Sequence, residues 1–106
     1  MAEHRRPALW SPEALTDLDG IWDYYAGVAG LTTANNVLRE IGKLVALIEE
    51  HPSAGRSRDE IRASLRSIAT APHVVFYRIM DNRPHIVRVL DGRQDVDEIF
   101  AESDSR

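Results

Sequence analysis

Residues 72–93 read PHVVFYRIMDNRPHIVRVLDGR. Two runs of β-branched and aromatic residues, His73 to Met80 and His85 to Leu90, flank a polar Asp81-Asn82-Arg83-Pro84 turn, with Pro72 and Gly92 as outer bounds. That is the composition of paired strands. Arg78, Arg83, Arg88 and Arg93 stud the pair, within a wider segment, residues 55–93, that holds eight arginines, no lysine and four acids. Residues 1–54 carry four basic and eight acidic side chains, and residues 94–106 carry one and five. A net charge of −4 therefore conceals a segment near +4 between two segments near −4. Such segregation predicts a surface that meets an anion or is covered by an acidic partner. The plainer reading is that the arginines solvate an exposed sheet face.

Outward from this pair, Ile61 to Ala69 alternates loosely and reads as another strand, and Gly55-Arg56-Ser57-Arg58 as a loop. Further upstream, Ala8-Leu9-Trp10 is a short apolar run suited to an opening strand. Ser11-Pro12-Glu13 combines a capping hydroxyl, a proline fit for the first helical position and an acid at the positive dipole end. Leu15, Leu18, Ile21, Trp22 and Tyr25 follow at helical spacing, with Asp17, Asp19 and Asp23 read as a solvated face. Gly27 and Gly30 mark the end of that helix. A second helix starts near Thr32 or Thr33, presents Val37, Ile41, Leu44, Val45 and Ile48, and stops before His51-Pro52. Asp95 to Phe100 suits a short terminal helix. The order predicts an α+β fold: an N-terminal strand, an antiparallel helical hairpin packed on one face of a mainly antiparallel four-stranded sheet, and a short C-terminal helix.

A chain of 106 residues with 43% hydrophobic content is expected to form a single domain over 1–106, with loose ends at about 1–6 and 101–106. It contains no cysteine, so disulfide and thiolate chemistry are excluded. No apolar run approaches the ~20 residues of a membrane span, which predicts a cytoplasmic protein with no membrane partner. His4, His51, His73 and His85 are too scattered to suggest a metal site, and there is no phosphate-cradling glycine loop and no serine elbow. Neither metal nor cofactor is expected.

The arginine-bearing strands remain. Alternation places Phe76 and Arg78 on one face and Val75, Tyr77 and Ile79 on the other, and puts Arg88 with Ile86 and Leu90. Whether Arg78 and Arg88 point the same way depends on register across residues 81–84. Arginine suits phosphate or carboxylate because its planar fork engages two oxygens at once. An arginine in a central strand can equally be paired with a carboxylate of its own chain.

The ordered set Leu18-Asp19-Gly20-Ile21-Trp22-Asp23-Tyr24, His51-Pro52, Gly55-Arg56, Ile61-Arg62, Leu65-Arg66, Val74-Val75-Phe76-Tyr77-Arg78 and Val87-Arg88-Val89-Leu90 resembles the ParE toxins of the RelE/ParE superfamily. The resemblance runs from about Trp10 to Phe100. It implies the layout derived above and a ParD-like antitoxin whose carboxy-terminal segment wraps the toxin in a hetero-oligomer. It also implies a non-catalytic poison of DNA gyrase, with no sequence-specific DNA binding by this chain alone. The RelE branch instead cleaves mRNA on the ribosome, which requires acid–base groups and a cation for phosphate. This chain has one lysine, Lys43, on the second helix, and Asp91 where many relatives carry histidine after the last strand. The alternatives are thus a RelE-type endoribonuclease, or an attenuated toxin that acts mainly as an antitoxin-binding module. The candidate antitoxin- or target-binding residues are Arg66, Phe76, Arg78, Arg88 and Arg93. An amphipathic antitoxin tail would set acids against Arg66, Arg78 or Arg88.

Overall fold

Ser11 starts the first helix as its residue type predicts: its Oγ accepts from the Ala14 N–H at 3.0 Å, and Pro12 occupies the first turn. A computed structural model describes residues 6–104. The elements are β1 (Leu9–Trp10), α1 (Pro12–Ala29), α2 (Leu31–Glu50), β2 (Arg56–Ser57), β3 (Arg66–Thr70), β4 (His73–Met80), β5 (Arg83–Asp91) and α3 (Val96–Asp104). Helix α1 runs through Gly27. The hairpin turns at Gly30 alone, whose φ of +93° is a conformation that favours glycine.

The sheet has five strands in the order β1-β5-β4-β3-β2, and only the β1–β5 pair is parallel. The fifth strand is β2, where a loop was expected: Arg56 pairs with Ser67 and Ser57 with Arg66. Two residues are too few to show a period of two, so nothing in the local pattern announces them. The strand expected over residues 61–69 is shorter and later. Residues 58–65 form turns, with Ser64 at φ +66° and its N–H bonded to Asp59 Oδ1 at 2.8 Å. Ile61 and Leu65 supplied the apparent alternation, yet they pack under α3 without pairing. Between β4 and β5, Asp81 and Asn82 both adopt positive φ (53° and 61°), the backbone of a tight hairpin turn. Arg83 and Pro84 already belong to β5.

Two cores lie on opposite faces of the sheet. Val75, Tyr77, Ile86 and Val89 meet Ala14, Ile41, Val45 and Ile48 of the hairpin. On the far face Phe76, Leu65 and Leu90 meet Phe100 of α3, the two phenyl rings edge-on at 5.2 Å. A β-bulge between these strands sets Phe76 opposite Arg88 but Tyr77 opposite Ile86, leaving Val87 as the extra residue. Hence Ile86 faces the hairpin while Leu90 faces α3, which corrects the expectation that Arg88 shares one face with both. The expected loose ends fall largely outside the described residues. Of the part described, Arg6 Nη1 donates to the Asp81 carbonyl at 3.2 Å, and residues 101–104 continue α3.

Candidate functional site

β1 covers β5 only at His85 and Ile86, so the rest of that strand's outer edge would be bare backbone. Side chains close it. Ser11 Oγ donates to the Val87 carbonyl at 2.8 Å, Asp17 Oδ2 accepts the Val89 N–H at 2.9 Å, and Gln94 Oε1 accepts the Asp91 N–H at 2.9 Å. Asp17 also holds Arg88 through two parallel bonds of 2.8 Å, Nε to Oδ2 and Nη2 to Oδ1. Both side chains are largely buried, at 20% and 11% exposure, and the carboxylate raises the Arg88 guanidinium above its ordinary value. The bridge ties α1 to the bulged part of β5.

Asp17 is therefore not a solvated residue. Ala14, Leu18, Ile21 and Tyr25 form the inward stripe of α1, and Asp17 sits within it at the same helical spacing. A carboxylate inside an apolar stripe is the signal that could have found it, because such a position demands a partner.

Two open cavities of about 610 and 580 Å³ meet at this bridge, and both are lined by Thr16, Asp17, Arg88 and Gln94. One continues to Ile99 and Glu102 of α3, the other to Tyr24, Tyr25, His73 and Arg93. Together they form a trench between α1 and the end of the sheet. At its second end Asp91 accepts the backbone N–H and Nε of Arg93, each at 2.9 Å, as well as Nη2. Those bonds hold the Asp91 carboxyl well below the usual carboxylate range and raise Arg93 in turn. Arg93 itself is 78% exposed.

His73 lies edge-on to Tyr25 at 5.9 Å and is buried. Burial pushes its imidazole below the ordinary value near 6.5; Asp91 opposes the shift and Arg93 adds to it. The neutral ring is favoured in the fold, whereas the unfolded chain takes up a proton as the pH drops through about 6.5. Stability should therefore fall with acidification below that point, down to the depressed folded value. In thermal melts across pH 7 to 5, His73→Gln should remove this part of the slope, and an unchanged slope would refute the assignment.

The predicted residues do not form one cluster. Arg66 faces the hairpin side and clamps the exit of α2, donating from Nη1 to the Gly55 carbonyl at 2.7 Å. Phe76 has no exposed surface and belongs to the core under α3. Arg78 lies on the same face as Phe76, opposite His85, and its buried Nε lacks a hydrogen-bond partner among the described residues. Of the five, the trench brings together Arg88 and Arg93 alone.

No group of three or more histidine, cysteine or carboxylate side chains suited to a metal occurs among the described residues. Nor is any described helix long and apolar enough to cross a membrane. A helical hairpin on one face of a mainly antiparallel sheet and a third helix on the far face define a small two-sided α+β fold. The chain belongs to the ParE toxins of type II toxin–antitoxin systems: that family's model, described as the ParE toxin of parDE, matches residues 8–96. It is 39% identical to Toxin ParE1 of Caulobacter vibrioides over 85 residues, 80% of this chain and 88% of that one. To Toxin ParE1 of Mycobacterium tuberculosis it is 37% identical over 90 residues, 84% of this chain and 92% of that one. A solved structure described as the chromosomal ParDE toxin–antitoxin system of P. aeruginosa has the same fold. Its TM-score is 0.72 at 22% identity, covering 83% of this chain and 97% of that one.

Proposed function

We propose that this toxin acts by binding DNA gyrase without catalysis, and that a ParD-like antitoxin neutralises it by wrapping the helical hairpin and the trench beside it. The observation that carries this reading is the extent of the family match, which spans the hairpin, the whole sheet and the Asp17–Arg88 bridge and ends at the first residue of α3. Electrostatics support a binding role. The histidine and carboxylate at the trench end are engaged with other groups: His73 is buried against Tyr25, and Asp91 is held by Arg93. The hold of Arg93 keeps the Asp91 carboxylate ionised and makes it a poor proton carrier for RNA cleavage by general acid–base chemistry.

The antitoxin assignment rests on exposed apolar side chains along the hairpin. Tyr24, Val28 and Leu31 are 61%, 65% and 62% exposed, and Leu15 is 49% exposed. These can anchor an amphipathic segment, while Arg93 at the trench mouth offers a cation to its acids. Toxin and antitoxin would then act as a cytoplasmic hetero-oligomer, with residues 1–106 as one toxin domain.

A plasmid supercoiling reaction with purified gyrase tests the proposal. Cleaved plasmid should accumulate with added toxin and disappear when the cognate antitoxin is included. If no cleaved DNA forms at large molar excess, gyrase is not the target.

A further inference from the structure

The register of the sheet gathers a second set of basic groups away from the trench. Arg56 pairs with Ser67, Ser67 with Phe76, and Arg78 with His85, so all share the face turned away from the hairpin. Arg58 joins them: its Nη1 reaches Ser67 Oγ at 3.2 Å and its guanidinium lies 5.5 Å from the Phe76 ring centre. From β2 to β5 the group spans about 15 Å, at roughly 4.8 Å per strand. α3 packs on the Val74, Phe76 and Leu90 end of this face, and neither core extends to Arg78 or His85. Among the described residues these three arginines meet one contacting carboxylate, Glu60, bonded to Arg58 Nε at 2.8 Å. Arg78 holds a buried donor, Nε, that nothing described accepts. A buried unsatisfied donor costs ~1–3 kcal/mol unless something supplies its acceptor.

We infer that this face binds the phosphodiester backbone of a nucleic acid, with Arg56, Arg58 and Arg78 as the phosphate contacts. Charge complementarity selects that occupant. Guanidinium forks spread across a sheet suit a line of phosphates and need no apolar anchor. A peptide partner needs apolar anchors, and the larger set, Leu15, Tyr24, Val28 and Leu31, lies on the hairpin, whereas this end of the sheet offers Met80 and Leu9, 41% and 43% exposed, among the described residues. The chain thus has two faces of different chemistry, apolar for a protein and cationic for a polyanion. The inference stands whether or not gyrase is the target.

Fluorescence anisotropy of the purified toxin with labelled duplex DNA and single-stranded RNA, across a salt series, tests it without gyrase. Affinity should fall with salt, with a log–log slope near 3 for duplex DNA. Arg56→Gln and Arg78→Gln should each weaken binding about fivefold, and together lower the slope by about two. Arg39→Gln, on the exposed side of α2, should change nothing. Arg56 is exposed, so its variant should fold even where Arg78→Gln does not. The two probes identify which nucleic acid is preferred, and binding to either supports the inference. Absence of binding to both at low salt overturns it, as does equal loss with Arg39→Gln. So does a double variant that loses affinity for the antitoxin rather than for nucleic acid.

Discussion

Gly55→Ala is expected to lower stability by about 3 kcal/mol, with a melting temperature lower by more than 10 °C. A Cβ at Gly55 would lie 2.6 Å from Tyr77 Oη, 2.7 Å from Tyr77 Cε1 and 2.9 Å from the Ser67 carbonyl. None of these can retreat cheaply. Tyr77 is fully buried in the hairpin-facing core, and Ser67 is backbone in a paired strand. The hydroxyl is also committed: it donates to the Pro52 carbonyl at 2.6 Å and accepts the Gly55 N–H at 2.8 Å. One tyrosine thereby fastens the exit of α2 to the centre of the sheet, and Arg66 reinforces the fastening through Gly55.

The discriminating measurement is a double-mutant cycle. Tyr77→Phe alone strips partners from a buried N–H and a carbonyl, a loss of about 2 kcal/mol. In the Gly55→Ala background the same change also removes the nearest of the three clashing atoms, the hydroxyl oxygen, and frees the ring to shift away from the new methyl group. The double variant should therefore be more stable than the sum of the singles predicts, by at least ~1 kcal/mol. Strict additivity would show that the side chains do not meet as described.

Legibility of the fold in the sequence follows the range of the interaction. Ser11-Pro12, Gly30, Pro72 and Asp81-Asn82 act on their own neighbours, so they can be read one residue at a time. The hairpin's apolar stripe and the His73 to Met80 strand are periodic over enough residues to be unambiguous. Two features are not local. β2 exists because β3 offers it an edge, and the bulge at Val87 exists because the two faces must carry different cores. Alternation extrapolated through a bulge assigns the wrong face, and simple alternation through Val87 therefore misplaces Arg88 relative to Ile86 and Leu90.

The candidate site divides in the same way. Arginine density announces electrostatic purpose, but not which arginines are consumed internally. Arg66 clamps a loop eleven residues away and Arg88 pairs with a carboxylate 71 residues away. Phe76 sits on the far face of its strand, which α3 covers from more than twenty residues along the chain. Asp17 differs from Asp19 and Asp23 by helical position and not by residue type: it falls in the inward stripe of α1, while the other two are exposed.

Asp17→Ala should accordingly be among the most damaging surface-proximal changes, costing about 3 kcal/mol. It leaves the Arg88 guanidinium, four-fifths buried, without its two acceptors, and it bares the Val89 N–H at an uncovered strand edge. Arg88→Ala should cost less, about 1–2 kcal/mol, because Asp17 keeps the Val89 N–H and gains water on its other oxygen. Asp17→Asn should fall between the two: its amide oxygen can keep both the Val89 N–H and Arg88 Nε, as Oδ2 does, while its NH2 would face Arg88 Nη2 donor to donor and the charge is lost. A cycle over Asp17 and Arg88 by denaturant unfolding should give a coupling energy of at least ~1 kcal/mol. The bridge is also the wall shared by both halves of the trench. Variants that break it yet remain folded should therefore lose affinity for the antitoxin, while Lys43→Ala, in an exposed pair on α2, should leave both stability and affinity unchanged. A folded Asp17→Ala protein that binds antitoxin with full affinity would separate the trench from the partner surface. The bridge would then be a device of the fold alone.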